Sequence, residues 1–168
     1  MVTHYYDSSD PERIEKAETL HELVGIAVDV LRRMPPQICT VVGPFTSGTR
    51  TLEENGERIR QMIAWLKKKH VPTFNYLPLR KRAVMILLGG RDGGSLSHDE
   101  ERELQGKLFD GLYAPILRSG LIRELRLMPG SDASVNARRM RQYAQAGSIA
   151  LRLIPEEAVP NTQGVFYG

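Results

Sequence analysis

A chain of 168 residues can bury a sizeable core, and one domain spanning 1–168 is the expectation. A hydrophobic share of 41% beside a charged share of 26% fits a globular protein and excludes a disordered or fibrous one. The net charge of +3 is too small to argue for nucleic acid or a membrane surface as partner, and no apolar run approaches the ~20 residues of a membrane span. The N-terminus lacks a signal-peptide pattern, and the lone Cys39 cannot form an internal disulfide, so a cytoplasmic, reducing setting is expected.

Residues 1–9 are polar and carry two tyrosines. An N-terminal helical segment, 10–34, follows. Asp10 can cap it with Pro11 at the first helical position, and Ile14, Ala17, Leu20, Val24, Ala27 and Leu31 recur at helical spacing. Thr19 and Glu22 form a capping box, which allows two helices in place of one. Pro35-Pro36 stops the segment.

The α/β core is expected over 38–154. Ile38 to Val42 is β-branched and apolar on both faces, as a buried parallel strand should be. It runs into a glycine loop, Gly43-Pro44-Phe45-Thr46-Ser47-Gly48. Thr51 to Glu54 is a capping box for the next helix, whose inner stripe reads Leu52, Ile59, Met62, Ile63 and Leu66. Val71 to Leu79 reads as the second strand. Ala83 to Leu88 suits a strand or a helical turn, and the glycines of 89–94 suit a lid or irregular insertion. Ser97 to Glu100 is a third capping box. It opens a helix to about Arg118, with Leu104, Leu108, Leu112 and Ile116 on one face and Pro115 bending it.

The stretch Arg123 to Ala144 organises the rest. Leu125, Leu127 and Met128 make a buried strand that ends at Pro129-Gly130; Ser131, Asp132 and Ser134 then offer caps to a helix closing at Gly147. Backbone N–H groups at such a turn suit a phosphate, a carboxylate or a sugar hydroxyl, although an ordinary strand-to-helix turn has the same form. Strand, glycine loop and helix thus recur at 38–69 and 123–146, which predicts an α/β sheet with ligands at the carboxyl ends of its strands. Ser148 to Ile154 is the last strand. The tail, 155–168, ends in an apolar Val165-Phe166-Tyr167 expected to pack on its own domain or a neighbour.

Several of these pieces, in this order, resemble the nucleoside 2-deoxyribosyltransferase-like superfamily. They are Gly43-Pro44, Thr46 to Gly48, Leu52 to Asn55, Tyr113 with Pro115-Ile116, Ser119 to Ile122, and Pro129-Gly130 with Ser134, Ala137 and Ala144. The resemblance implies a flavodoxin-like or Rossmann-like three-layer sandwich around a central, mostly parallel sheet of about five strands. It also implies a homo-oligomer, and a nucleoside or nucleotide as ligand, held by residues 43–48, Asn55, Tyr113, Gly130, Ser131 and Ser134. Arg138 could reach a phosphate. Active members cleave an N-glycosidic bond through a glutamate nucleophile, forming a glycosyl ester that a base or water resolves.

This chain departs from that pattern at the nucleophile. The glutamate falls four residues before Ala144, where Met140 stands, and a thioether can form no glycosyl ester. Read from helical spacing alone, Met140 is a core residue with Val135 and Tyr143. Asp110 and Asp132 are the carboxylates that could activate water for direct hydrolysis; the plain alternatives are a solvated charge for either and a helix cap for Asp132. The four histidines show no ligand spacing, and neither a Walker-type nor a GxGxxG motif occurs, so neither metal nor cofactor is expected. The basic runs at 67–69, 80–82 and 138–141 read as solvated faces. The expectation is a nucleotide-binding α/β protein, with catalysis, sensing and oligomeric scaffolding as its open forms.

Overall fold

A computed structural model describes residues 5–44, 52–91 and 93–159, the side chain of Leu52 excepted. The chain divides into two compact units, one of Met1–Pro36 with Asn75–Ile122, the other of Gln37–Phe74 with Arg123–Gly168. The fold is α/β.

The second unit holds a parallel sheet in the order β2-β1-β3-β4, from β1 (Ile38–Val42), β2 (Thr73–Phe74), β3 (Ile122–Leu127) and β4 (Ala150–Leu153). β1 pairs parallel with β2 through Cys39↔Thr73, and β3 pairs parallel with β4 from Glu124↔Ala150 to Leu127↔Leu153. This is the flavodoxin-like order, and among the described residues the sheet has four strands where about five are expected. All five residues of β1 are buried, as the β-branched run requires. The helix α3 (Leu52–Lys68) joins β1 to β2, and α7 (Val135–Ala146) joins β3 to β4. On α3 the buried positions are Asn55, Arg58, Ile59, Met62, Ile63 and Leu66. The capping residue Thr51 lies outside the described residues. Cys39 is buried, and burial pushes its thiol up; the thiol lies 3.6 Å from the Thr73 hydroxyl.

The first unit is helical. Its N-terminal segment is two helices, α1 (Asp10–Lys16) and α2 (Leu20–Arg33). Thr19 caps α2 by accepting from Glu22 N–H at 3.2 Å, while the Glu22 carboxylate reaches Glu18 N–H, so the box closes one residue early. Leu23, Ile26, Ala27, Val30 and Leu31 form the buried stripe of α2. Each of the four larger side chains, Leu23, Ile26, Val30 and Leu31, contributes about 1.5–3 kcal/mol. Asp10 is the first residue of α1, not a cap, and its carboxylate is fully buried. It accepts from Asp7 N–H (2.9 Å), Arg13 (3.1 Å) and Arg33, which binds Asp7 as well at 2.5 Å.

The reading of 71–79 as one strand is corrected. Only Thr73–Phe74 is β, and Leu77 opens α4 (Leu77–Leu88), with Pro78 in its first turn. Pro78 lacks an N–H to give a sheet but costs nothing where a helix begins. The stretch 83–88 is therefore helical. α4 ends at Gly89 in the left-handed region (φ 57°), as a helix stop favours, and a short 3-10 turn occupies Gly93–Ser95.

The Ser97 capping box is present in both directions and opens α5 (His98–Leu108). A π turn at Phe109–Tyr113 then leads into α6 (Ala114–Arg118). Residues spaced by four drift around an ordinary helix of 3.6 residues per turn. The wide turn absorbs that drift, so Leu104, Leu108, Leu112 and Ile116 are all buried. It also ends just before Pro115, which has no N–H for the preceding turn. Gly111, within this turn, approaches α2 so closely that a Cβ there would sit 2.5 Å from Leu20 Cδ1. Among the described residues no helix is long and apolar enough to cross a membrane.

The Asp7–Asp10–Arg33 cluster predicts a pH signature. Hydrogen bonds from the Ser9 hydroxyl and N–H, aided by Arg33, hold the Asp7 carboxyl below its ordinary range. A depressed folded value means stability present above the ordinary carboxylate range and lost as pH falls through the depressed value. Urea unfolding of the Asp7→Asn variant across acid pH should show its deficit against the parent shrinking in that window. Arg33→Met, which strips a charged partner from buried Asp10, should cost about 2 kcal/mol at neutral pH.

Candidate functional site

In the order β2-β1-β3-β4 the chain leaves β1 toward one side of the sheet and β3 toward the other. The strand order therefore reverses between β1 and β3. Loops leaving two such neighbours diverge, and the crevice at their carboxyl ends is where open α/β sheets take ligands. Both glycine bends lie there. Gly43-Pro44 follows the last residue of β1, and Pro129-Gly130 follows β3 by one residue. Met128 N–H donates to Val42 C=O at 2.8 Å, closing the ladder at its final rung.

The bends touch. A Cβ on Gly130 would come 3.9 Å from Pro44 Cγ, and Gly130 takes φ 82°, a conformation glycine adopts without cost. A Cβ on Gly43 would lie 3.1 Å from Met128 Sδ and 3.2 Å from Ile59 Cγ1. Gly43 is thus favoured by close approach and Gly130 by its φ.

Past Gly130, a 3-10 turn at Ser131–Ala133 delivers the chain to α7. Ser131 is buried, with its N–H donating to Met128 C=O at 3.1 Å and its carbonyl accepting from Ser134 N–H at 3.0 Å. Ser134 is the cap of α7. Its hydroxyl oxygen accepts from Ala137 N–H at 3.3 Å. Asp132 is solvent-facing and ion-paired with Arg141 at 2.9 Å, so it is neither a cap nor a buried acid. Arg138 is exposed. The inward stripe of α7 is Asn136, Ala137, Met140 and Ala144. Met140 is core, as its spacing predicts, while Val135 is 39% exposed and no part of that core.

Asn55 is 2% exposed, one turn into α3, and Arg58 is 7% exposed one turn further. Both are engaged in polar or electrostatic interactions, as is Asn136. Arg58 and Asn136 were not singled out by sequence. A signal existed for Arg58: positions 55, 58, 59, 62 and 66 share one helical face, and a cation on that face of a crossover helix departs from amphipathic design. Arginine is buried only when its charge is met.

The remaining expected site residues fall elsewhere. Phe45, Thr46, Ser47 and Gly48 lie outside the described residues. Tyr113 and Asp110 belong to the helical unit. Tyr113 is buried, packs edge-on against Tyr76 with ring centroids 5.8 Å apart, and bonds Arg80; burial pushes its phenol up. Asp110 is exposed on the π turn. Among the described residues no group of three or more His, Cys, Asp or Glu side chains could hold a metal ion.

Within the sheet unit, then, the structure brings together Gly43, Pro44, Gly130 and Ser131, with the capped N-terminus of α7 beyond them. The N–H groups of Ser131 and Ser134 are used within the turn, so the arrangement offers serine hydroxyls and a helix dipole, a chemistry for oxyanions and sugar hydroxyls. Comparison with protein-family models, with curated proteins and with solved structures finds no match.

Three glycine substitutions test this geometry by denaturant unfolding. Gly43→Ala should cost about 1–3 kcal/mol by crowding buried Met128 and Ile59. Gly130→Ala should cost about 1 kcal/mol through its positive φ. Gly25→Ala, inside α2 with nothing within 4 Å of the added Cβ, should gain about 0.5–1 kcal/mol.

Proposed function

We propose that this chain is a nucleoside- or nucleotide-binding protein related to the nucleoside 2-deoxyribosyltransferases, with its ligand held above the β1/β3 switch point. The observation that carries this reading is that the Pro44 and Gly130 bends lie side by side at the carboxyl ends of two neighbouring parallel strands. The small-residue bends leave room for a sugar to approach backbone groups, and the α7 N-terminus favours an anionic substituent.

Binding without bond cleavage is the form the geometry supports best. At the position where the family places its nucleophile, Met140 is 7% exposed within the inward stripe of α7, so the helix invests that position in packing. Direct hydrolysis is the second reading. What favours it is Asp132, an exposed carboxylate next to Ser131 in the turn itself, fixed by Arg141.

Thermal unfolding in the presence of each deoxynucleoside and its 5′-monophosphate tests the proposal. A ligand at 100 times its dissociation constant adds about 2.7 kcal/mol, a clear rise in midpoint. At least one compound at millimolar concentration should give it, and Gly130→Ala should weaken it; no shift with any compound contradicts the reading. Chromatography of the same mixtures for free base separates the two forms. None should be released by the parent chain. Release that is lost in Asp132→Asn would establish hydrolysis instead.

A further inference from the structure

The mild net charge is unevenly held. The sheet unit carries twelve Lys and Arg against seven Asp and Glu, the helical unit eleven against thirteen. Within the sheet unit Arg60, Arg126, Arg141 and Arg152 pair with Glu57, Glu124 and Asp132. Lys67, Lys68 and Lys69, at the end of α3, have no ion-pair partner among the described residues. They sit beside the chain's one tryptophan. Trp65 is 37% exposed, and Lys69 Nζ lies 5.6 Å from the centre of its ring.

The backbone holds this group in place. Val71 N–H donates to Leu66 C=O at 3.1 Å and His70 N–H to Lys67 C=O at 3.0 Å, the paired bonds of a Schellman stop. Such a stop needs a left-handed residue where His70 stands, at φ 59°, and glycine is the residue that adopts it without strain. Gln37, at φ 67°, is the other non-glycine residue with positive φ among the described residues. The Cys39↔Thr73 register, carried back two residues, sets Gln37 beside Val71, and Cys39 N–H donates to Pro72 C=O at 2.9 Å. Two solvent-exposed side chains are thus kept where glycine would fit with less strain. The dipole of α3 accommodates cations at this end. It calls for neither an exposed indole nor these two side chains.

We propose that this end of α3 binds single-stranded nucleic acid. The lysines meet successive phosphates, Trp65 stacks on a base, and Gln37 and His70 hydrogen-bond beside it. An acidic polypeptide would answer the lysines and leave the indole without a role. A bilayer would need a broader apolar surface than one indole, and the neighbours of Trp65 one turn away, Gln61 and Lys68, are polar. A single strand supplies both an anionic group and a π face at every nucleotide. The patch lies at the far end of α3 from the glycine bends, about 25 Å along a helix of 17 residues. The inference is independent of the nucleotide reading.

Trp65 is its own reporter. Oligo-dT of about ten nucleotides should quench its fluorescence saturably at low salt, and oligo-U, with the same phosphates and a base to stack, should do likewise. Three phosphate contacts predict a binding constant that falls with salt at a log–log slope of about −2. With a labelled strand followed by anisotropy, Lys68→Glu and Trp65→Leu should each weaken binding about tenfold. His70→Gly separates the proposal from a structural role. Relief of the left-handed histidine should raise the unfolding midpoint by about 2–4 °C, while binding weakens severalfold. A deoxynucleoside monophosphate at millimolar concentration should not displace the strand. Absence of quenching, displacement by the monophosphate, or binding indifferent to Lys68→Glu and Trp65→Leu each overturns the proposal. So does His70→Gly binding as the parent does, or an equal response to polyglutamate or to phosphatidylserine vesicles.

Discussion

The hydrogen bond from Met128 N–H to Val42 C=O is the rung on which this molecule's architecture turns. It pairs the ends of two strands that are far apart in sequence and whose onward helices lead to opposite edges of the sheet. Because both strands run the same way, two bends that would otherwise be unrelated emerge side by side. Everything chemical about the rim follows: glycine where buried side chains crowd the end of β1, a left-handed glycine where β3 must turn, and past them the capped start of α7. Take away the β1–β3 pairing and Gly43 and Gly130 become two ordinary turns.

The rim is built from packing as much as from polarity. Gly43 sits on Met128 and Ile59, both buried, so the floor beneath the bends is apolar and tight. Ser134 spends its hydroxyl on Ala137, and Ser131 spends its backbone on Met128 and Ser134. These groups fix the shape of the turn, which is what a preorganised ligand site requires. Met140 extends the same logic along α7. A position that could carry a nucleophile is occupied by a side chain that fills the core, and the ligand proposal accordingly rests on backbone and hydroxyl groups.

What could be read from sequence was what rests on local pattern. Ile38 to Val42 could hardly be anything but a buried strand, the Ser97 box marked a helix start, and Pro129-Gly130 marked a strand end. The inward stripe of α3 was legible from Ile59 to Leu66. What failed to show depended on partners far along the chain. The run 71–79 looked like one strand because Phe74, Tyr76, Leu77 and Leu79 are apolar, and only sheet pairing decides that two residues of it are β. The π turn at 109–113 was written as four-residue leucine spacing, a rhythm that looks helical until the drift is counted. Arg58 was passed over because arginine is ordinarily surface, and Val135 was placed in a core it does not enter because Asn136 takes the inward position.

The most direct test of the account is an amide-resolved titration of the labelled protein with a deoxynucleoside monophosphate, following backbone N–H shifts. The account predicts saturable shifts concentrated at Gly43, Gly130, Ser131 and the first turn of α7, with the carboxyl ends of β1 and β3 following. Saturable shifts confined to residues remote from that rim, or none anywhere, would contradict it.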